Sequence, residues 1–217
     1  IEDNIANIIL SRPEQLNSMS RKFWVELPEI LEEVNRNSEI RVLIISSTGK
    51  HFCAGMDLSA FDNGVANIPK EKRPDNARIG EALYRSAKEL QEYICKLEKI
   101  RVPVIAAIHG GCIGGAVDLV TACDIRLATT DAFFCIQEIN IGMAADVGTL
   151  QRLPRIIPDS KMRELAYTGR RMLADEAKES GLVSDVYDSQ EEMVNAAKEM
   201  ANEIAKKSPI AIYGLKA

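Results

Sequence analysis

Histidine is nearly absent from this chain of 217 residues, which holds two, His51 and His109. That scarcity argues against a histidine-based triad and against a multi-histidine metal site, so no metal is expected. The five cysteines (Cys53, Cys95, Cys112, Cys123 and Cys135) are odd in number and sit in apolar segments. They lack zinc-type spacing and read as buried thiols of a reducing compartment. Positive charge is also short, with a formal net charge of −5, which argues against nucleic acid as a partner. No apolar run reaches the length of a bilayer span, so no membrane partner is expected. No signal or transit peptide is visible. Both ends nevertheless read as cut: the chain starts abruptly at a strand and stops just after a helix-breaking Ser208-Pro209. A missing leader therefore excludes no compartment.

What is present suits one domain with a real core, since 46% of residues are hydrophobic and 27% charged. The most informative stretch is Ile105–Asp118, I-A-A-I-H-G-G-C-I-G-G-A-V-D. An apolar strand over Val104–Ile108 runs into a loop with Gly110, Gly111, Gly114 and Gly115. An apolar helix follows, with the lone carboxylate of Asp118 in its first turns. Glycines let a backbone approach a ligand closely, and a helix start adds free N–H donors. Gly115 and Asp118 are three residues apart and share a helix face. An oxyanion donor beside a carboxylate suits enolate chemistry. Tight packing alone also produces such turns. The loop is neither a dinucleotide fingerprint, lacking G-x-G-x-x-G, nor a Walker loop, lacking Gly-Lys-Ser/Thr.

Periodicity and punctuation predict an alternation of strands and helices. Strands are expected at Asn4–Leu10, Val42–Ser46, Asp124–Ala128, Phe133–Ile136 and Leu182–Tyr187. A helix capped by Ser20 runs to about Asn37, its stripe of Phe23, Trp24, Leu27, Leu31 and Val34 read as core or subunit contact and Pro28 as a bend. A long helix spans Ala77–Glu98, with Ile79, Leu83, Ala87, Leu90 and Ile94 on its apolar stripe. Short helices are expected near 147–153, 160–168 and 174–180, and a final one over Gln190–Lys207. Residues 62–76 read as a mobile surface loop. One internal echo matters: Val42-Leu-Ile-Ile-Ser-Ser and Val104-Ile-Ala-Ala-Ile-His-Gly-Gly each lead through a glycine turn towards a helix. Two such units would set the N–H groups of Met56 and Gly115 on either side of one carbonyl oxygen. Each donor of such a pair stabilises a transition state by on the order of 3 kcal/mol.

At these residues the chain resembles the crotonase, or enoyl-CoA hydratase/isomerase, family. The likeness runs from Leu10-Ser-Arg-Pro-Glu-Gln-Leu-Asn17 through Phe52-Cys-Ala-Gly-Met-Asp57 and the glycine loop. It continues through Ala122-Cys-Asp-Ile-Arg126 to Gly181-Leu-Val. Within the family, Ala107–Asp118 and Glu138–Pro154 look closest to the Δ3,5-Δ2,4-dienoyl-CoA isomerase branch. The resemblance implies an α/β fold, a spiral of ββα units with flanking helices, in a single domain over residues 1–217. It implies trimers or dimers of trimers, acyl-CoA thioester ligands and no separate cofactor. It places the thioester oxygen on the Met56 and Gly115 amides, with Ala54, Asp57 and Leu58 contributing to acyl-CoA binding. A mitochondrial or peroxisomal place in fatty-acid β-oxidation follows from the likeness alone. Three departures stand out. Asp118 and Ala116 occupy positions where hydratases carry Glu and usually Gly. The family's C-terminal helices are missing. Residues 62–76 match nothing that carries over.

Each carboxylate has two readings. Asp118 is an acid of the site or a buried Asp bonded to backbone or arginine. Glu138 aligns with the family's central acid/base, yet a strand-end Glu is usually a surface residue. Asp146 matches the second acid of the dienoyl branch and also suits a helix N-cap. Asp57 is further read as a cap of a short helix, Asp124 as a partner of Arg126 or a loop cap, and the two histidines as structural. The expected activity is double-bond migration by carboxylate proton transfer. Alternatives are hydration of an enoyl-CoA by Asp118 and Glu138, and a non-catalytic homologue acting as scaffold or RNA binder.

Overall fold

The computed structural model describes residues 1–57 and 75–216. Five parallel strands form the main sheet: β1 (Ile5–Leu10), β2 (Val42–Ser47), β3 (Val104–Ile108), β5 (Ile125–Thr129) and β8 (Asp185–Tyr187), in that spatial order. Strands β2 and β3 are almost wholly buried, which explains why they read as continuous apolar runs. One face of the sheet presents Val42, Ile44, Ile105, Ala107 and Leu127 to helix α7 (Gln190–Ala205), which answers with Met193, Ala197 and Ala201. The other face joins a larger core with α1 (Arg21–Arg36), α2 (Asn76–Lys99) and α3 (Gly115–Thr121). Ser20 caps α1 by accepting from the Phe23 amide, and α1 continues through Pro28.

Two short strands escape the sequence reading. Gly111–Ile113, expected as loop, forms β4, which pairs in parallel with β6 (Phe133–Cys135); β6 pairs antiparallel with β7 (Met172–Leu173). A three-residue ladder with a glycine in it carries no legible periodicity. The remaining helices are α4 (Thr149–Arg152), α5 (Asp159–Thr168), α6 (Ala174–Ser180) and α8 (Pro209–Lys216). Helix α8 corrects the reading of Pro209 as a stop: proline suits the first position of a helix, where its missing N–H costs nothing. Lys216, at the end of α8, pairs with Asp124 at 2.6 Å. Asp124 also accepts from the Val104 amide at 2.7 Å, in keeping with its reading as a loop cap. Among the described residues it does not pair with Arg126, whose guanidinium instead donates to the carbonyls of Leu182, Val120 and Cys123. Asn4 lies outside β1 in a left-handed turn with Asp3. The expected loop at 62–76 falls, apart from its last two residues, outside the described residues. Within those two, Asp75 caps α2 by accepting from the Arg78 amide. Leu83, expected on the buried stripe of α2, is exposed.

All five cysteines are free thiols. Burial pushes the Cys53 thiol up to about 12. Both histidines hold backbone: His109 Nε2 meets the Gly49 carbonyl at 2.9 Å, and His51 Nδ1 accepts from the Gly111 amide at 2.9 Å. Among the described residues no helix is long and apolar enough to cross a membrane, and no cluster of three His, Cys, Asp or Glu side chains is grouped to hold a metal.

Candidate active site

Three parallel segments leave the core side by side. Cys53 bridges to Cys112 of β4, and Cys112 is in register with Phe134 of β6. The bridge is made by Cys53 N to Gly111 O and Ile113 N to Cys53 O, each 3.1 Å. Beyond this ladder the first segment delivers Met56, the second Gly115 and the third Glu138. The internal echo thus has a physical basis. The loops after β2 and β3 meet because β4 pairs with both neighbours.

The approach is close enough to demand glycine. Gly55 has φ +88°, and a Cβ there would lie 2.6 Å from the Ile113 carbonyl oxygen and 3.5 Å from the Gly115 nitrogen. Gly114 has φ +55°, and a Cβ there would lie 3.3 Å from Glu138 Oε1. A Cβ on Gly115 would lie 3.8 Å from the Met56 nitrogen. Among the described residues neither the Met56 nor the Gly115 amide has a backbone hydrogen-bond partner. Both residues line a cavity of about 180 Å³, together with Ala54, Gly55, Gly114, Asp118, Gln137, Glu138, Ile141, Met143, Asp146 and Val147.

The three carboxylates expected at the site all line this cavity, in different states. Glu138 opens a single 3-10 turn (Glu138–Ile141) just after β6. Its Oε2 is buried without a hydrogen-bond partner among the described residues. Burial, with smaller repulsion from Asp118 and Asp146, pushes its carboxyl up to about 7. Asp118 is 1% exposed. Its Oδ1 accepts from both the amide (2.6 Å) and the hydroxyl (2.7 Å) of Thr149. Burial raises it to about 6 against the opposing pull of these two bonds and of Arg152. Asp146 is exposed, and its carboxylate makes no hydrogen bond or ion pair with the described residues.

Two role assignments change here. Asp146 does not cap α4. The N-cap position is Gly148, and the orphan amide of Thr149 is taken by Asp118, 31 residues earlier. Asp118 accordingly matches its structural reading, a buried Asp bonded to backbone, while still facing the cavity. Asp57 pairs with Arg12 at 3.4 Å and is not among the cavity-lining residues. The helix it was expected to cap, and Leu58, lie outside the described residues. Gln137, Ile141, Met143 and Val147 were not anticipated. The three apolar ones give the cavity its wall, and only the family likeness of the segment 138–154 signalled them.

Two amides with no backbone partner among the described residues, beside a half-buried carboxyl pushed up to about 7, can hold a carbonyl oxygen and exchange a proton at the neighbouring carbon. The sequence model of the enoyl-CoA hydratase/isomerase family matches residues 1–217, and the chain belongs to that family. It is 45% identical over 216 residues to the mitochondrial Δ(3,5)-Δ(2,4)-dienoyl-CoA isomerase of Rattus norvegicus, covering 99% of this chain and 65% of the relative. It is 44% identical over 216 residues to the peroxisomal enzyme of the same name from Arabidopsis thaliana, covering 100% of this chain and 77% of the relative. Among solved structures, the enoyl-CoA hydratase from Bacillus anthracis superposes with a TM-score of 0.85 at 34% identity, covering 98% of this chain and 77% of that one. The chain thus spans less than two thirds of the rat relative's length. The α/β architecture expected from the resemblance is the one these structures share.

Proposed function

We propose that this chain carries the site of a Δ3,5-Δ2,4-dienoyl-CoA isomerase. The carrying observation is the pairing of the Met56 and Gly115 amides with Glu138: among the described residues neither amide has a backbone partner and the buried Oε2 has no hydrogen-bond partner. The thioester oxygen accepts from the two amides, so negative charge developing on it is met by fixed donors. Glu138 adjoins Gly114 and therefore sits at the thioester end, beside C2. Its carboxylate takes a C2 proton. The electron pair conjugates through the 3,5-diene to C6, where Asp146 delivers a proton. Two double bonds move and no atom is gained or lost. Glu138 ends protonated and Asp146 ionised, and proton exchange with water restores both. Each proton-transfer group is worth about 10²–10⁴ in rate.

Asp118 acts in this reading by tuning and holding the pair. The hydratase alternative needs Asp118 and Glu138 to share a water, and the engagement of Asp118 with Thr149 speaks against it. A scaffold or RNA-binding role gives no account of a repelling set of carboxylates around a cavity. Ala54 and the apolar wall of Ile141, Met143 and Val147 contact the acyl-CoA. Proton transfer alone completes the reaction, so the proposal includes neither a metal nor a redox cofactor, and neither nucleic acid nor membrane as a partner. A homotrimer or dimer of trimers, a mitochondrial or peroxisomal location and a place in fatty-acid β-oxidation belong to the same proposal; relatives bear both compartment labels. The test is ultraviolet detection of conjugated 2,4-dienoyl-CoA from the 3,5-isomer, beside hydration of 2-enoyl-CoA. Hydration without isomerisation overturns the reading.

A further inference from the structure

We propose that Gln91 is a positioning residue that holds the Asp146 carboxylate at the far end of the cavity. This rests on the reading above, in which Asp146 exchanges the C6 proton.

Residues 143–148 adopt no regular secondary structure. A reacting carboxylate with no side-chain partner among the described residues has its backbone fixed by other means. Three side chains from elsewhere supply them. Gln91 Nε2 donates to the Asp146 carbonyl at 2.6 Å. Arg152 Nη1 donates to the Val147 carbonyl at 3.1 Å. Asp118 accepts from Thr149. The Gln91 bond is the only one that residue 146 makes with the described residues, and it falls on the reacting residue itself.

Helix α2 is built to make these ties. Gln91, Cys95 and Glu98 are spaced i, i+4 and i+7, so they share one face of the helix. Cys95 Sγ and Glu98 Oε2 accept from Arg152 at 3.0 and 2.8 Å. This polar stripe lies beside the buried Ile94 and Leu97. Gln91 answers one carbonyl of the irregular segment directly, while Cys95 and Glu98 hold the Arg152 that answers another. Arg152 and Asp118 are buried and also secure α4, so their loss would disturb the fold. Gln91 is half-exposed and among the described residues its side chain serves residue 146 alone, which makes it the separable element.

The experiment compares Gln91→Met, which keeps the length and removes the donor, with Gln91→Lys, which keeps a donor of similar reach. Each is measured for melting temperature, kcat and KM in 3,5-to-2,4 isomerisation, and deuterium incorporation from heavy water at C2. Misplacing a reacting group by an ångström is enough to cost about 10²-fold. Gln91→Met is expected to lower kcat roughly 10- to 100-fold, with KM and C2 exchange nearly unchanged and the melting temperature preserved. Gln91→Lys is expected to restore most of the loss. A parent-like kcat in Gln91→Met, or equal loss of isomerisation and C2 exchange, overturns the proposal. Asp146→Asn measured in parallel separates the two levels. If that variant isomerises normally, the reading of Asp146 itself has failed. If it is inactive while Gln91→Met is not, only the role of Gln91 has failed.

Discussion

Thr149 gives both its amide and its hydroxyl to one oxygen of Asp118, at 2.6 and 2.7 Å. A carboxylate on α3 thereby caps a helix that begins 31 residues later, and the loop bearing Asp146 is trapped between them. The same two bonds favour the ionised form of Asp118 against its burial. One contact thus sets both a backbone position and a charge.

Thr149→Val isolates that contact, because valine keeps the shape and the amide but not the hydroxyl. Losing a buried hydrogen bond to a charged group is expected to destabilise the fold by about 1.5–3 kcal/mol. Denaturant unfolding of parent and variant checks this. The Asp118 carboxyl should move further above its value of about 6, and the deficit should be larger at pH 8 than at pH 5. A deficit independent of pH would mean that Asp118 is not the partner that matters.

Glu138→Gln is expected to lower isomerase turnover by about 10²-fold or more, with C2 exchange lost as well. In the parent, kcat/KM should rise as pH passes through about 7, where Glu138 ionises. Stability runs the opposite way. Folding raises this carboxyl from 4.5 to about 7, so the folded state holds the proton more tightly than the unfolded chain. The associated stability is present below pH 4.5 and is lost as pH rises through about 7. The glutamine variant should therefore melt above the parent at pH 8, and the gap should close by pH 5. The proton that stabilises the fold is the one that disables the base.

Asp146→Asn should abolish formation of the 2,4-diene while leaving deuterium exchange at C2. Its side chain is exposed and caps nothing among the described residues, so the melting temperature should hold. Loss of C2 exchange with retained C6 exchange would reverse the assignment of the two ends. Unchanged isomerisation would remove Asp146 from the chemistry.

The glycines can be separated by what they serve. Gly55→Ala places a Cβ 2.6 Å from a carbonyl oxygen at φ +88°, so it should cost stability, roughly 1–3 kcal/mol for the backbone alone. Gly115→Val has its first atom 3.2 Å from the yielding Met19 sulfur and 3.8 Å from the Met56 nitrogen. It should spare the fold more than Gly55→Ala does, and weaken both acyl-CoA binding and turnover. Calorimetric titration with an unreactive acyl-CoA beside thermal melts distinguishes the two.

Long buried strands and strongly periodic helices were legible in the sequence because burial on both faces, or on one stripe, writes itself into residue order. The start of β2, the whole of β3 and the stripe Trp24/Leu27/Leu31/Val34 are examples. The amides at Met56 and Gly115 were legible from glycine placement and from likeness together. What was hidden depends on distant partners. Asp118 finds Thr149 across 31 residues, and Lys216 finds Asp124 across 92. Strand β4 was hidden for another reason: its three residues form a strand only because two neighbours flank it. The polar face of α2 carries no sign of its role, since nothing local distinguishes a glutamine that meets water from one that meets a carbonyl.

The Cys53–Cys112–Phe134 register has a consequence for how such a site can change. Donor, donor and carboxylate follow three, three and four residues beyond that shared rung, so the strands fix their spacing in whole residues. One residue of slip shifts a strand by about 3.3 Å and turns every side chain to the opposite face. The arrangement has no small gradations available to it through the ladder. Fine adjustment towards a different substrate must come from the tethered segment carrying Asp146, where distances vary continuously and no strand is counting.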